Sequence, residues 1–230
     1  MQEQTAKRPD VDLSLPVGSD CDSHRSAAIW SFLQRVIGLS TCVVLFPVFV
    51  LIGVMVKLTS AGPILFVQER PGYRGRPFRM MKFRTMNVGT ETATALGTAQ
   101  DDPAITAVGR LLRSSKLDEL PQLWNVVRGE MELVGPRPIP IALDEELAGQ
   151  IPEFELRYSV KPGLTNVSQV AVLDNRLGRQ LVADWAVRFE GELHYIENKS
   201  FSYDLIVIAM TLGFVAKKIS RERDKAHAES

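Results

Sequence analysis

Cysteine, histidine and net charge are all scarce in this chain of 230 residues, and each scarcity removes a class of function. Two cysteines, Cys21 in a polar stretch and Cys42 inside an apolar run, cannot supply a disulfide framework, and both are read as reduced thiols. The three histidines, His24, His194 and His227, are isolated, without zinc-finger or catalytic-triad spacing. Lys+Arg 27 against Asp+Glu 27 gives a formal net charge of +0, which removes the overall electrostatic signature of a nucleic-acid binder and makes any basic patch local. At 45% hydrophobic and 23% charged, the chain can build a sizeable core, and a disordered or collagenous chain is excluded.

What is present is segregated. Val36 to Val56 is a run of 21 residues without one charged side chain, bounded by Arg35 and Lys57. As a straight helix it would be roughly 32 Å long, about one hydrocarbon thickness. It starts too late and runs too long for a cleavable signal peptide. Pro47 divides it into arms of 11 and 10 residues, each about 15 Å long. A proline there removes one helix hydrogen bond and forces a kink, which a spanning helix tolerates and a re-entrant helix exploits. Basic residues flank both ends, so charge leaves that choice open.

The chain divides into a disordered polar tail at 1–26, a membrane anchor helix broken at Pro47 at 27–58, a catalytic domain at 59–219 and a polar C-terminal tail at 220–230. Ile64 to Glu69 and Phe78 to Arg84 read as two strands of a small β-hairpin around Pro71-Gly72-Tyr73-Arg74-Gly75-Arg76. Helices are expected at Ile105 to Arg113, at Leu117 to Val127 with Leu117, Leu120, Leu123, Trp124 and Val127 on one stripe, at Leu177 to Asn198 and at Tyr203 to Lys218. Gly129 should close the second of these, and Pro136-Arg137-Pro138 and Lys161-Pro162-Gly163 are rigid loops. The 12 uncharged residues Leu205 to Ala216 are too short to span and fit either an interfacial or a core helix. The fold class is therefore α+β, mainly helical, with amphipathic interfacial helices.

Six of the 15 residues from Arg70 to Arg84 are Lys or Arg, a density suited to anionic head groups or a multiply phosphorylated ligand. The chemistry is expected at Lys116-Leu117-Asp118-Glu119-Leu120-Pro121. Pro121 belongs to a first helical turn, which sets Asp118 and Glu119 at the helix start, where free N–H groups favour a carboxylate and a phosphate alike. Plain capping by Asp118 is the competing explanation. Successive helical residues point about 100° apart, so the two carboxylates need separate jobs rather than one shared proton.

The order of motifs resembles the bacterial sugar transferases, the monotopic polyprenyl-phosphate hexose-1-phosphate transferases (phosphoglycosyl transferases), in their short form. The resemblance runs from Phe32 to Lys218: the Pro-broken anchor, Gly62-Pro63-Ile64-Leu65-Phe66-Val67-Gln68-Glu69-Arg70-Pro71-Gly72, Lys82-Phe83-Arg84-Thr85-Met86, Asp102-Pro103-Ala104-Ile105-Thr106 and Gly109-Arg110-Leu111-Leu112-Arg113. Leu117-Asp118-Glu119-Leu120-Pro121-Gln122-Leu123-Trp124-Asn125-Val126, Gly129-Glu130-Met131-Glu132-Leu133-Val134-Gly135-Pro136-Arg137-Pro138 and Lys161-Pro162-Gly163-Leu164-Thr165 follow in the family's order. The chain departs from the pattern at Phe46, where many members carry serine before the proline, and at Asn166-Val167-Ser168-Gln169-Val170, where the family often reads Gly-Trp-Ala-Gln-Val.

The resemblance implies an enzyme at the cytoplasmic face of the bacterial inner membrane. It would take a nucleotide-diphosphate sugar, a UDP-hexose, and a polyprenyl (undecaprenyl) phosphate, and initiate a lipid-linked glycan. Asp118 aligns with the nucleophile, Glu119 with the Mg2+ ligand, and Arg113 and Arg137 with phosphate-binding arginines; Lys82 and Arg84 are further candidates for that work. A homo-oligomer is left open, and no nucleic-acid partner is expected. The rival from another class is a non-catalytic, membrane-anchored scaffold that grips anions or lipid.

Overall fold

The computed structural model describes residues 21–90, 102–167 and 181–228. The tail at 1–20, Leu177 to Gln180 of an expected helix and Ser168 to Val170 lie outside them. Helix α1 (Cys21–Val44) begins six residues before the anchor's expected start and is followed by α2 (Phe46–Thr59). The interruption is the work of Pro47: it occupies the first turn of α2, where its missing N–H is tolerated, and Leu45 between the helices is non-helical at φ −86, ψ 4. Backbone bonds from Leu45 N to Thr41 O and from Phe49 N to Leu45 O, both 2.9 Å, carry the chain through the break.

Strands β1 (Leu65–Pro71) and β2 (Pro77–Phe83) pair antiparallel with Phe66 opposite Lys82 and Arg70 opposite Phe78. Then come α3 (Ala107–Ser115), a 3-10 turn (Leu117–Glu119), α4 (Gln122–Arg128), β3 (Glu132–Val134), α5 (Ile141–Ala148), a 3-10 segment (Phe154–Ser159) and β4 (Gly163–Thr165). Helices α6 (Leu181–Glu197) and α7 (Phe201–Ala228) complete the order, and α7 continues through most of the expected C-terminal tail. The domain is mainly helical with a small antiparallel hairpin, as the sequence suggests. The parallel pair β3–β4 is additional.

Two close approaches set the frame of the site. Gly129 ends α4 at φ +75, a left-handed cap whose N–H bonds back to Asn125 and Val126. Gly163 lies so close to Gly135 that a Cβ on it would come within 2.0 Å of the Gly135 nitrogen. That contact fixes the Pro136-Arg137-Pro138 loop, whose Pro136 carbonyl accepts from Gly163 N at 2.9 Å.

Both anchor helices rest on this same domain. On α1, Gln34 Oε1 accepts from Leu133 N at 2.7 Å, Gly38 packs against Val126 and Val127, and Trp30 Nε1 donates to Asp204 at 2.7 Å. On α2, Ile52 and Val56 are buried with Phe83 and Leu112. Around the break the side chains face outward, with Val43, Val44, Phe46, Val50 and Leu51 all exposed. Ser26–Val44 is long and apolar enough to cross a membrane by length and composition.

Helix α7 settles one ambiguity. It buries Asp204 and Val207 but exposes Phe201, Leu205, Ile206, Met210 and Leu212, which is not the pattern of a core helix and leaves an apolar face that the described residues do not cover. Trp124, expected on the buried stripe of α4, is 47% exposed instead. Pro121 and the 3-10 turn interrupt the expected helix and reset its phase, so the buried face is Gln122, Leu123, Asn125 and Val126.

Candidate active site

The 3-10 turn Leu117–Glu119 holds Asp118 and Glu119 one turn before α4, rather than within its first turn. Lys116 precedes it in the left-handed region at φ 62, ψ 13, a conformation uncommon for a residue with a side chain. This bend lets α3 stop and the acidic pair face inward. Both carboxylates are buried, Asp118 at 8% exposure and Glu119 at 9%.

Glu119 gathers two of the four predicted cations, Lys82 and Arg137. Its Oε1 accepts from Lys82 Nζ at 3.0 Å and from Arg137 Nη2 at 2.7 Å, joining the hairpin, the acidic turn and the Pro136-Arg137-Pro138 loop at one atom. Burial opposes ionisation of Glu119, but Arg137, Lys82 and Lys116 outweigh it and hold the carboxyl well below its ordinary value. Arg137 is likewise desolvated, yet Glu119 raises it further. Burial lowers the Lys82 and Lys116 ammoniums against the pull of the two carboxylates.

Asp118 is different. Its Oδ1 is buried without a hydrogen-bond partner among the described residues. Burial first, and the neighbouring Glu119 charge second, push it above its ordinary value, against the three cations. Glu119 is thus a fixed anion clamped by cations, and Asp118 is an under-partnered carboxylate beside it. Arg113 donates from Nε to Thr85 Oγ1 at 2.9 Å, with the charges of Asp118 and Asp102 favouring its cation.

Arg84 is not brought to this cluster by its hydrogen bonds. Its Nη2 donates to Ser60 O and Oγ at 2.7 and 2.9 Å, fastening the end of the anchor to the hairpin.

Behind the cluster lies a buried support that no sequence motif signals. Glu192 Oε1 accepts from Arg137 N at 3.2 Å and from Asn166 Nδ2 at 2.7 Å, while Arg157 Nη2 donates to the Arg137 carbonyl at 2.7 Å. Arg157 also pairs with Glu192 at 3.1 Å and lies over the Phe154 ring at 4.7 Å, and Tyr158 bonds to Asp144. The charges come from segments far apart in sequence, with no local spacing to announce their meeting. Asn125, which the sequence marks only as one member of a motif, fastens β2 from the other side. It donates to Arg79 O at 2.8 Å and accepts from Met81 N at 3.1 Å.

Among the described residues no group of three or more His, Cys, Asp or Glu could hold a metal ion. Mg2+ is commonly held by one or two carboxylates together with substrate phosphates, and Glu119, whose bonds to Lys82 and Arg137 both fall on Oε1, has a second carboxylate oxygen to offer to that donor set.

The model of the family described as bacterial sugar transferase matches residues 25–218. The chain belongs to the bacterial sugar transferase family. It is 40% identical over 166 residues to the UDP-glucose:undecaprenyl-phosphate glucose-1-phosphate transferase of Caulobacter vibrioides, a match covering 72% of this chain and 61% of that protein. The transferase of the same name in Escherichia coli is 39% identical over 173 residues, covering 74% of this chain and 37% of the relative. The exopolysaccharide production protein ExoY of Sinorhizobium fredii is 36% identical over 191 residues, 76% of this chain and 80% of that protein. This sugar transferase family member thus matches only part of the first two relatives, well under half of the second, and most of the third.

Proposed function

We propose that the chain transfers a sugar-1-phosphate from a nucleotide-diphosphate sugar, a UDP-hexose, to a polyprenyl phosphate, through a covalent intermediate on Asp118. The observation that carries this reading is the buried, unpartnered Oδ1 of Asp118 beside a Glu119 already neutralised by Lys82 and Arg137. The names of the relatives supply the substrate classes: UDP-glucose and undecaprenyl phosphate for two of them, UDP-N-acetylgalactosamine for the Aeromonas hydrophila relative. This transfer would initiate an exopolysaccharide or another lipid-linked glycan, a reading supported by the name of the Sinorhizobium fredii exopolysaccharide production protein.

In the first step a carboxylate oxygen of Asp118 attacks the phosphorus that carries the sugar. The bond to the nucleoside monophosphate breaks, and that group leaves with the electron pair. An oxygen of the polyprenyl phosphate then attacks the same phosphorus, forming the lipid diphosphate sugar and returning Asp118 as a carboxylate. Arg137, Lys82 and Arg113 orient the phosphoryl oxygens and offset their charge, with Arg137 able to grip two oxygens at once. Mg2+ held by Glu119 would supply further charge neutralisation at those oxygens. The raised pKa of Asp118 costs some ionised fraction at low pH and gives a more basic, better attacking carboxylate.

The proposed topology is a re-entrant anchor at the cytoplasmic face. Its support is that α1 at Trp30 and Gln34 and α2 at Ile52 and Val56 both pack on the same domain while the apolar side chains around Pro47 are exposed. Two arms of about 15 Å each reach into one leaflet and back. Asp118→Asn tests the chemistry. The amide fits the same turn but is no nucleophile, so turnover and the covalent phosphosugar adduct seen by mass spectrometry should both vanish while the fold persists. Near wild-type turnover in that variant would remove Asp118 from the mechanism.

A further inference from the structure

Arg70 has no part in the chemistry above. The β1–β2 register sets Phe66 opposite Lys82, Gln68 opposite Met80 and Arg70 opposite Phe78. Directly opposed residues share a face of the ladder, as do residues two apart, so Arg70 and Gln68 stand on the same face as Lys82. That face meets Glu119 through Lys82. Arg70 Nη2 donates to Gln68 Oε1 at 2.6 Å, which turns the guanidinium back along the strand toward Lys82.

The guanidinium is short of partners. Nε is buried without a hydrogen bond, and no carboxylate among the described residues forms an ion pair with Arg70. The charges that act on it are Arg137, which repels it, and Glu119, whose Oε1 is already shared by Lys82 and Arg137. Burial and then Arg137 push Arg70 down to about 9. A largely desolvated cation next to another cation, with one neutral amide to accept from it, is costly in the free protein. A phosphoryl group would relieve the cost, because its oxygens can take Nε and a terminal nitrogen of one guanidinium together while facing a second.

We propose that Arg70, oriented by Gln68, is a phosphate-binding residue that shares one phosphoryl group with Arg137. The assignment rests on reading this site as one of phosphoryl transfer. The group belongs either to the nucleotide diphosphate or to the polyprenyl phosphate, and the two half-reactions distinguish them.

The direct test is equilibrium titration of the full-length protein in lipid nanodiscs with inorganic pyrophosphate, with and without Mg2+. Arg70→Met should weaken pyrophosphate binding by about tenfold or more, and Arg70→Lys, which keeps charge but loses Nε, should fall between. Ligand-free Arg70→Met should melt no lower than wild type, since the charge removed is repelled and under-partnered. Release of nucleoside monophosphate without lipid reports the donor, and chase of the preformed adduct with polyprenyl phosphate reports the acceptor. Whichever half-reaction slows names the phosphate's source.

Unchanged pyrophosphate affinity in Arg70→Met, or no binding to wild type, overturns the proposal. A ligand-free melting temperature lowered along with affinity makes Arg70 structural and overturns it equally. Binding does not need Asp118 to react, so loss of affinity in Arg70→Met would sustain this assignment even if transferase activity failed to materialise.

Discussion

Asn125 is the place to perturb the site without touching its charges. It is fully buried in α4 and clips β2, the strand that carries Lys82, to the helix that follows Glu119. Asn125→Leu keeps the approximate shape and removes three side-chain hydrogen bonds: to Arg79 O at 2.8 Å, from Met81 N at 3.1 Å, and to Glu130 Oε2 at 2.7 Å. Glu130 retains its ion pair with Arg128. The two backbone groups of β2 are left without those partners at about 1–3 kcal/mol each, so the expected loss is about 2–6 kcal/mol. For a chain of this size that corresponds to a melting temperature lower by roughly 5–20 °C.

The conservative variant separates hydrogen bonding from packing. In Asn125→Asp the new carboxyl is buried near Glu130, which raises its folded pKa above the unfolded one. A raised acid contributes stability below its unfolded pKa and loses it as pH rises, so this variant should be nearest to wild type at acidic pH and fall behind toward pH 8. Glu119 does not confuse the comparison. Its pKa is depressed, so its contribution holds above the ordinary carboxylate range and is lost only as pH falls through a much lower value. Thermal unfolding of full-length protein from pH 5 to 8 measures both effects. An Asn125→Leu protein as stable and active as wild type would refute the claim that this amide holds β2 against the acidic turn.

Because the folded Asp118 lies above its ordinary 3.8, the acid limb of the monophosphate burst should lie above that value, and Lys116→Met, which removes a favouring cation, should move the limb to higher pH; a limb that moved down would contradict the charge assignment. Glu192→Gln retains the acceptor for Arg137 N but takes a carboxylate charge from the buried Arg157, so the melting temperature should fall, by up to about 3–5 kcal/mol of stability, and kcat/KM by the order of tenfold through slackened Arg137; a variant as stable and active as wild type would remove Glu192 from the support of the site. Ala27→Cys and Thr59→Cys, made singly in a background lacking Cys21 and Cys42, should both resist a membrane-impermeant thiol reagent in intact cells and react after lysis. Labelling of the Ala27→Cys site alone in intact cells would establish a spanning helix.

The parts legible in sequence were those governed by local chemistry. Pro47 marks the helix break because proline lacks an N–H wherever it stands, and Gly129 marks the end of α4 because few other residues take φ +75 cheaply. The hairpin is visible from its turn residues, which place it within about a residue or two of its observed ends. Where a reading needs the phase of a helix to continue, it fails: Leu117 to Val127 looks periodic, yet the 3-10 turn and Pro121 rotate the helix downstream of them, burying Asn125 and exposing Trp124. Strands β3 and β4 have three residues each, too few for an alternation to register.

The buried charges were hidden for a deeper reason. A charged residue such as Arg157 or Glu192 reads as solvated until its partner is known, and their partners lie 13 to 55 residues away. The same holds inside the cluster itself. Lys82, Glu119 and Arg137 are individually ordinary, but their meeting at one oxygen makes Glu119 a strong, fixed anion and leaves Asp118 as the carboxylate with an oxygen to spare. Two adjacent acids acquire opposite pKa shifts from unequal access to the same three cations. That inequality depends on the hairpin, the acidic turn and the Gly135–Gly163 contact being held together, so the opposite ionisation of Asp118 and Glu119 is a property of the tertiary structure rather than of the Asp-Glu dipeptide.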